Sequence, residues 1–307
     1  SGSGIYQPSG TLYAFNARFL GNIAEASGFG GAIGQAGGSA IISSTLFSGN
    51  IAGSGGAVAS IAVSGLQVTD SIFDGNSANI WGGAIYLQDQ TVQASIAGSS
   101  FTNNHALTST VSYGGGAIWL VDGVLTLANS TFTTNTSESR AGAINVLGGQ
   151  ATLTNVTVSG NTAKNSGGGL YVQSDGLSNP ATVTLNNVTV CGNMTDSDNN
   201  NTGDGGGIRA LDGMVNIQNS ILAGNFDTPG NLGAGMVHPD CSGTFNSPSY
   251  NLIGRNDGCA GFVNGTNGSI VGTAGSPLNA PQAPPANNGD ATQTHALLSG
   301  SPAKNAG

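Results

Sequence analysis

One short motif recurs along the chain, and its spacing restricts the fold more than any other feature. In its fullest form it is Gly-Gly-Ala-Ile, and its second position falls at Gly31, Gly56, Gly83, Gly116, Gly142, Gly168 and Gly206, 25 to 38 residues apart. Between copies, apolar and polar residues alternate over three to six positions, the period of a short β-strand, and no segment keeps a helical spacing. A unit of this length cannot bury its own apolar face, so successive units must stack. The sequence therefore predicts an all-β fold, a parallel β-helix (β-solenoid) of nine or ten coils.

Stacking in register turns every repeat position into a column of residues about 4.8 Å apart. Two such columns stand out, one of phenylalanines and one of asparagines three residues further on. The phenylalanines are Phe47, Phe73, Phe101 and Phe132, and the asparagines are Asn50, Asn76, Asn104, Asn135, Asn161, Asn193 and Asn225. Stacked rings pack on one another and stacked amides hydrogen-bond from coil to coil, so both columns are predicted to be structural.

These repeats carry a family resemblance. Gly-Gly-Ala-Ile followed by Phe-x-x-Asn, as in 82–85 with 101–104, resembles the polymorphic outer membrane protein repeat of bacterial surface proteins, over about residues 19–225. The C-terminal section, with Asp240 to Thr244 and Tyr250 to Gly254, is similar to that of the "choice-of-anchor Q" β-helix proteins. The resemblance implies a right-handed parallel β-helix that is secreted or attached to a cell surface.

The chain is predicted to form one continuous domain with two sections. Residues 1–225 hold the β-helix repeats, and residues 226–307, which contain most of the prolines, form C-terminal coils, a cap or a docking arm. A solenoid presents open strand edges at its ends. Head-to-tail contact between copies, which generates a filament, is therefore one expected behaviour.

The balance of charge excludes several classes of partner. The chain has 6 Lys and Arg against 15 Asp and Glu, a net charge of −9. Nucleic acids and anionic membrane surfaces are bound by clustered basic residues, so neither is an expected partner. No apolar run reaches the roughly 18 residues of a membrane span. We expect an extracellular or cell-surface protein without membrane insertion in this segment and without a required cofactor.

The cysteines suggest one disulfide. Cys241 and Cys259 bracket an 18-residue interval in the loop-rich C-terminal section, and an extracellular setting favours a bridge between them. Cys191 takes the place that Ser159 has in the previous coil, so we interpret it as a tolerated small residue.

An acidic motif offers the only candidate for metal binding. Asp196, Asp198, Asn200 and Asp204 alternate with other residues inside an insertion, and alternating oxygen ligands suit Ca²⁺. The alternative is a solvated polar loop. With Arg209 close behind, the motif also resembles the site of pectate-lyase-like β-helices, in which calcium binds an acidic sugar and an arginine acts as the base.

Other catalytic chemistry finds little support. The chain has no Gly-x-Ser-x-Gly elbow, P-loop or His-Glu-x-x-His motif, and His105, His238 and His295 lie in unrelated sections. We therefore expect no catalytic residues.

A column on the outside of the coils is a candidate binding surface. The position after the repeated motif points outward, and successive coils place there Tyr86, Trp119, Asn145, Tyr171 and Arg209. A row of exposed aromatics suits stacking on sugar rings or contact with a partner protein. The alternative is that these side chains only support one another across neighbouring strands.

Together these features predict a structural or adhesive module, with three behaviours left open. The first is assembly of the chain with itself into an extracellular filament, and the second is attachment to surface glycans or cells. The third is a calcium-dependent polysaccharide lyase.

Overall fold

The computed structural model describes residues 4–62, 65–109, 114–176, 179–228, 237–280, 282–289 and 292–304. The chain winds into a β-solenoid in which strands of successive coils pair in parallel, so the predicted all-β fold is confirmed. One copy of the repeat makes one coil, because Ile85 pairs with Ile118 and Phe101 with Phe132 in neighbouring coils.

Three parallel sheets form the wall of the solenoid. The first contains Ile5–Gln7, Ile33–Gln35, Val58–Ile61, Ile85–Gln88, Ile118–Val121, Ile144–Leu147, Leu170–Gln173 and Ile208–Ala210. The second contains Thr11–Phe15, Ser39–Ser43, Gly65–Thr69, Gln93–Ala97, Val124–Ala128, Gln150–Thr154, Thr182–Asn186 and Met214–Gln218. The third contains Arg18–Leu20, Leu46–Ser48, Ile72–Asp74, Ser100–Thr102, Thr131–Thr133, Thr157–Ser159, Thr189–Cys191, Ile221–Leu222, Leu252–Ile253 and Ile270–Val271.

A fourth, shorter sheet lies between the third sheet and the next glycine motif. Its strands are Ile51–Ser54, Ser77–Trp81, His105–Ala106, Thr136–Ser137 and Thr162–Ala163. We call the segment from each of these strands to the following glycine motif an arm.

The coils become irregular toward the C-terminus. Within the described residues, eight coils carry a separate strand in each of the first three sheets, fewer than the nine or ten predicted. At the ninth level, Cys241–Ser249 pairs with both the first and the second sheet. The last level has only Cys259–Ala260 and Ile270–Val271, with a 3-10 turn at Thr266–Gly268 between them.

Ring stacking fills part of the solenoid interior. The centroids of Phe47 and Phe73 are 4.7 Å apart, and those of Phe101 and Phe132 are 4.5 Å apart with planes at 4°. All four rings are buried among aliphatic side chains from the three sheets. The stacking follows from register, because each ring lies directly above the ring of the previous coil.

An asparagine ladder runs beside the rings. In each step the backbone N–H and the side-chain amide of one asparagine donate to Oδ1 of the next, as Asn76 does to Asn104 at 3.1 and 2.9 Å. The same amide of Asn76 also donates to the carbonyl oxygen of Phe47 at 3.0 Å. The ladder satisfies polar backbone groups where the chain turns from the third sheet into the arm.

The repeated glycine is required by close approach of successive coils. A Cβ atom on Gly83 would lie 2.0 Å from the carbonyl oxygen of Gly116, well inside van der Waals contact. Any side chain there would push neighbouring coils apart, which explains why the motif keeps glycine at this position.

The C-terminal residues fold back along the solenoid. Residues 282–289 and 292–304, which we call the strap, contain antiparallel bridges between Gln282 and Leu297 and between Ala286 and Thr294. Thr131 Oγ1 donates to the carbonyl oxygen of Gln293 at 2.6 Å, and Thr292 Oγ1 to that of Asn129 at 3.1 Å. The strap therefore packs against earlier coils of its own chain.

Candidate functional site

The outward column is not an exposed surface, and the sequence-based expectation is wrong on this point. Tyr86, Trp119, Asn145 and Tyr171 pair in register on the first sheet as expected, but each is at most 2% exposed. Only Arg209, the next residue in the column, keeps partial exposure, with its side chain 21% exposed.

The arms cover this column. Trp81, on the arm that leads into the strand of Tyr86, packs edge-on against Trp119 with centroids 4.6 Å apart and lies 5.6 Å from Tyr86. Phe29 stacks on the other side of Tyr86 at 6.0 Å. These residues form a second apolar cluster outside the solenoid wall, so the aromatic rings offer no face to a sugar.

Polar contacts also cover the column at Tyr86 and at Tyr171. The Tyr86 hydroxyl donates to Gln88 at 2.6 Å, and burial raises the pKa of that hydroxyl. Arg140 lies 4.8 Å above the ring of Tyr171 and donates to Gln173 at 3.1 Å. The arms thus turn the predicted binding row into a packing layer.

The structure divides the acidic motif into two parts. Asp196 is 1% exposed, and its two oxygens accept the backbone N–H groups of Asn200 and Asn201 at 2.9 and 3.0 Å. Asp198 accepts the side-chain amide of Asn200 at 3.1 Å. The carboxylate of Asp196 therefore holds the loop together through backbone hydrogen bonds, and it is buried, unlike the side chains of a solvated polar loop.

Asp204 belongs to a different cluster, on the partly exposed end of the first sheet. It accepts from Arg209 at 2.7 Å, from Nδ1 of His238 at 2.5 Å and from the Ser242 hydroxyl at 2.7 Å. Arg209 also donates to Ser242, its neighbour in the next coil. Both contacts engage the guanidinium of Arg209, which disfavours the role of a base. His238 and Ser242 were missed from the sequence because they follow the insertion by 34 and 38 residues.

Two further carboxylates are buried near this cluster. Burial raises the pKa of Asp227 to about 6, although it accepts the backbone N–H of His238 at 2.7 Å. Burial likewise raises the pKa of Asp240 to about 6. Across the described ranges, no three His, Cys, Asp or Glu side chains are grouped as metal ligands.

The predicted disulfide is present. Cys241 and Cys259 are bonded, with their Cα atoms 5.4 Å apart, and both are buried. The bond joins the strand at the ninth level to Cys259–Ala260 at the tenth, where strand pairing is short.

A cluster that sequence reasoning missed lies where the strap meets the third sheet. Nε2 of His295 is 2.9 Å from the Ser159 hydroxyl and 3.2 Å from the Cys191 sulfur. Nδ1 of the same ring is 2.6 Å from the carbonyl oxygen of Ala283. Nothing in the sequence signals this meeting, because His295 is 104 residues from Cys191 and 136 from Ser159.

A polar groove begins at this cluster. It has a volume of ≈ 690 Å³ and runs between the strap, at Thr292, Thr294 and His295, and the exposed turn asparagines Asn129 and Asn155. Among the residues described, no helix has the length and apolarity needed to cross a membrane.

Comparison with known proteins gives one match. The model of the Chlamydia polymorphic membrane protein repeat matches residues 70–88, 98–120 and 155–173. Each matched segment starts at the turn before a third-sheet strand and reaches the first-sheet strand of the next coil. No curated protein and no solved structure matches the chain. The similarity of the C-terminal section to choice-of-anchor Q proteins stays a prediction. Over these three segments, the chain is therefore similar to the polymorphic membrane protein repeat of Chlamydia.

Proposed function

We propose that this chain is a non-catalytic structural module of a bacterial cell surface that extends by pairing β-coils end to end. The observation that carries the proposal is the first coil, whose strands Ile5–Gln7, Thr11–Phe15 and Arg18–Leu20 each pair on one side only among the described residues. Open edges of this kind are templates for another chain.

The match to the polymorphic membrane protein repeat supports the proposed location at a cell surface. Each matched segment contains a third-sheet strand, an arm and the next first-sheet strand, so the similarity extends to elements that build the solenoid. The polymorphic membrane protein model describes a membrane-associated protein family, which favours display at a surface. The buried aromatic column gives no support to the alternative of glycan stacking through Tyr86 and Trp119.

The apolar residues of the first coil also favour pairing. Tyr6, Tyr13, Phe15, Leu20 and Ile23 are each at least 50% exposed. A further coil stacked on this edge would place side chains about 4.8 Å from these side chains and cover part of each. An exposed apolar group beside unpaired strands is typical of an interaction surface.

Backbone geometry identifies the groups available at the open edge. Asn16 donates its N–H to Ser43, and the carbonyl oxygen of Gly10 accepts from Ser39, so even-numbered residues of this strand bond to the second coil. In a parallel pair, alternate residues bond to opposite neighbours. The N–H and carbonyl groups of Thr11, Tyr13 and Phe15 therefore face the open edge.

The opposite end supplies a complementary edge. The third sheet runs from Arg18–Leu20 to Ile270–Val271, and the latter strand has its ladder partner at Leu252–Ile253. Stacking this end of one copy on the first coil of the next continues the third sheet. A contact between two different surfaces of one molecule generates a filament.

Tyr13→Pro tests the proposal. Proline removes the N–H at the open edge and leaves the hydrogen bonds to the second coil intact, and edge strands tolerate it. Tyr13→Thr is the matched control, since it removes the ring and keeps the N–H. Sedimentation velocity and electron microscopy of the purified chain, over a range of concentrations, measure assembly.

We expect rods that lengthen with concentration for the parent and for Tyr13→Thr, and single short rods for Tyr13→Pro. The proposal is contradicted if the parent stays monomeric at high concentration with and without calcium. Equal assembly by the parent and Tyr13→Pro would also contradict it, because the open edge would then not be the contact.

A further inference from the structure

The cluster of Cys191, His295 and Ser159 is independent of the end-to-end contact. Three chain segments bring it together: Thr157–Ser159 and Thr189–Cys191 are neighbouring strands of the third sheet, and His295 comes from the strap. Cys191 is the one free cysteine, since Cys241 and Cys259 are bonded to each other. The strap is also attached to earlier coils through Thr131 and Thr292.

Hydrogen bonding decides where the ring proton of His295 lies. The carbonyl oxygen of Ala283, 2.6 Å from Nδ1, has no hydrogen to donate, so Nδ1 carries the N–H. In the neutral ring, Nε2 then presents its lone pair to the Ser159 hydroxyl at 2.9 Å and to the Cys191 sulfur at 3.2 Å. A nucleophile, a base within hydrogen-bond distance and a group that orients the base are the elements of an activated nucleophile.

We propose that Cys191 is a nucleophilic thiol, with His295 of the strap as its base, and that it exchanges with small disulfides. Cys191 is partly exposed, and the polar groove that begins at His295 gives a small polar disulfide room to approach.

The reaction conserves atoms and electrons. His295 Nε2 takes the thiol proton, and the Cys191 sulfur attacks one sulfur of the small disulfide as the S–S bond of that disulfide breaks. The departing thiolate takes the proton from His295 and leaves as a thiol. Cys191 is oxidised to a mixed disulfide, and the departing half of the reagent is reduced.

The surroundings of the thiol make the base necessary. Burial raises the pKa of the Cys191 thiol, so few molecules carry a thiolate at neutral pH. The thiolate is the reactive form. A base that accepts the proton during attack therefore has a large effect on the rate.

The test is reaction of the folded chain with 5,5′-dithiobis(2-nitrobenzoate), a small disulfide that releases a coloured thiolate. We expect release of one equivalent of thiolate by the parent and none by Cys191→Ser. His295→Ala lowers the second-order rate constant about a hundredfold, the lower end of the usual effect of a general base. His105→Ala, which removes a histidine paired with Glu138, is the matched control and leaves the rate unchanged.

The direction in which His295→Ala changes the reaction rate distinguishes a base from a side chain that only shields the thiol. If His295 only shields the thiol, its removal exposes Cys191 and raises the rate, which overturns the proposal, as does an unchanged rate. Thr131→Val provides a second variant, because it loosens the strap without altering the cluster. We expect a slower reaction for this variant, and a faster one would show that the strap acts as a cover.

Discussion

Asn225 donates both its backbone N–H and its side-chain amide to the same carboxylate oxygen of Asp240, at 3.1 and 2.9 Å. The asparagine ladder therefore ends on an aspartate, where every earlier step ends on another asparagine. The other oxygen of Asp240 accepts the backbone N–H of Arg255 at 2.8 Å. A carboxylate has no hydrogen to donate when ionised, so it accepts from three N–H groups and closes the ladder.

Asp240 gives the stability of the fold a dependence on pH. Burial raises its pKa to about 6 in the folded chain, whereas an unfolded aspartate has a pKa of about 3.9. The folded state then binds the proton more tightly, so the contribution of Asp240 to the free energy of unfolding is complete below about pH 4 and is lost as the pH rises through 6. The loss is at most about 3 kcal/mol.

Denaturant unfolding of the parent and of Asp240→Asn between pH 4 and 7 measures this contribution. Asp227 changes stability in the same direction and remains in both proteins, so the difference between the two curves isolates Asp240. A difference that does not vary with pH would show that the pKa of Asp240 is not raised.

The variant Asn104→Ala measures how much the asparagine ladder contributes to the free energy of unfolding. Replacement of Asn104 by alanine removes the acceptor of the Asn76 backbone N–H, one of the two acceptors of the Asn76 amide and the side-chain donor to the carbonyl oxygen of Phe73, all in a buried site. We expect a loss of about 3 kcal/mol or more in the free energy of unfolding. Asn155→Gly, in the exposed turn column where φ is 55°, is the control and costs under about 1 kcal/mol.

The variant Trp119→Ala tests whether Trp119 stabilises the fold by packing or binds a ligand. Its side chain is 2% exposed, so Trp119→Ala should lower the free energy of unfolding by about 3 kcal/mol through the cavity it leaves. Tyr13→Ala, at an exposed position, should cost under about 0.5 kcal/mol. Thermal unfolding compares the two variants. A stable Trp119→Ala variant that had lost binding to a glycan would restore the exposed-surface interpretation.

Gly83 tests the spacing between coils. A Cβ at this position would meet the carbonyl oxygen of Gly116 at 2.0 Å and the backbone nitrogen of His105 at 2.6 Å. Because both are backbone atoms, neither yields without moving a whole coil, and we expect Gly83→Ala to cost more than about 4 kcal/mol. Gly275→Ala has open space around its Cβ and serves as the control. Equal melting temperatures for the two variants would contradict the close-approach argument.

The sequence by itself determined the fold type and the position of the coils that carry the glycine motif. Strand periodicity and the repeated spacing act locally, and in-register stacking converts them into the columns of Phe73, Phe101 and Phe132 without further information. The pairing of Cys241 with Cys259 could also be predicted from the sequence, since the two residues lie close along the chain in its loop-rich section.

Only the tertiary structure decided which surfaces are covered and which distant groups meet. The alternation along a strand predicts that Trp119 points outward, but its burial depends on where the arm carrying Trp81 folds. The contact between His295 and Cys191 depends on the strap returning across earlier coils, 104 residues away along the chain. Neither the arms nor the strap repeats the strand period, so their positions follow from packing and not from the pattern of the sequence.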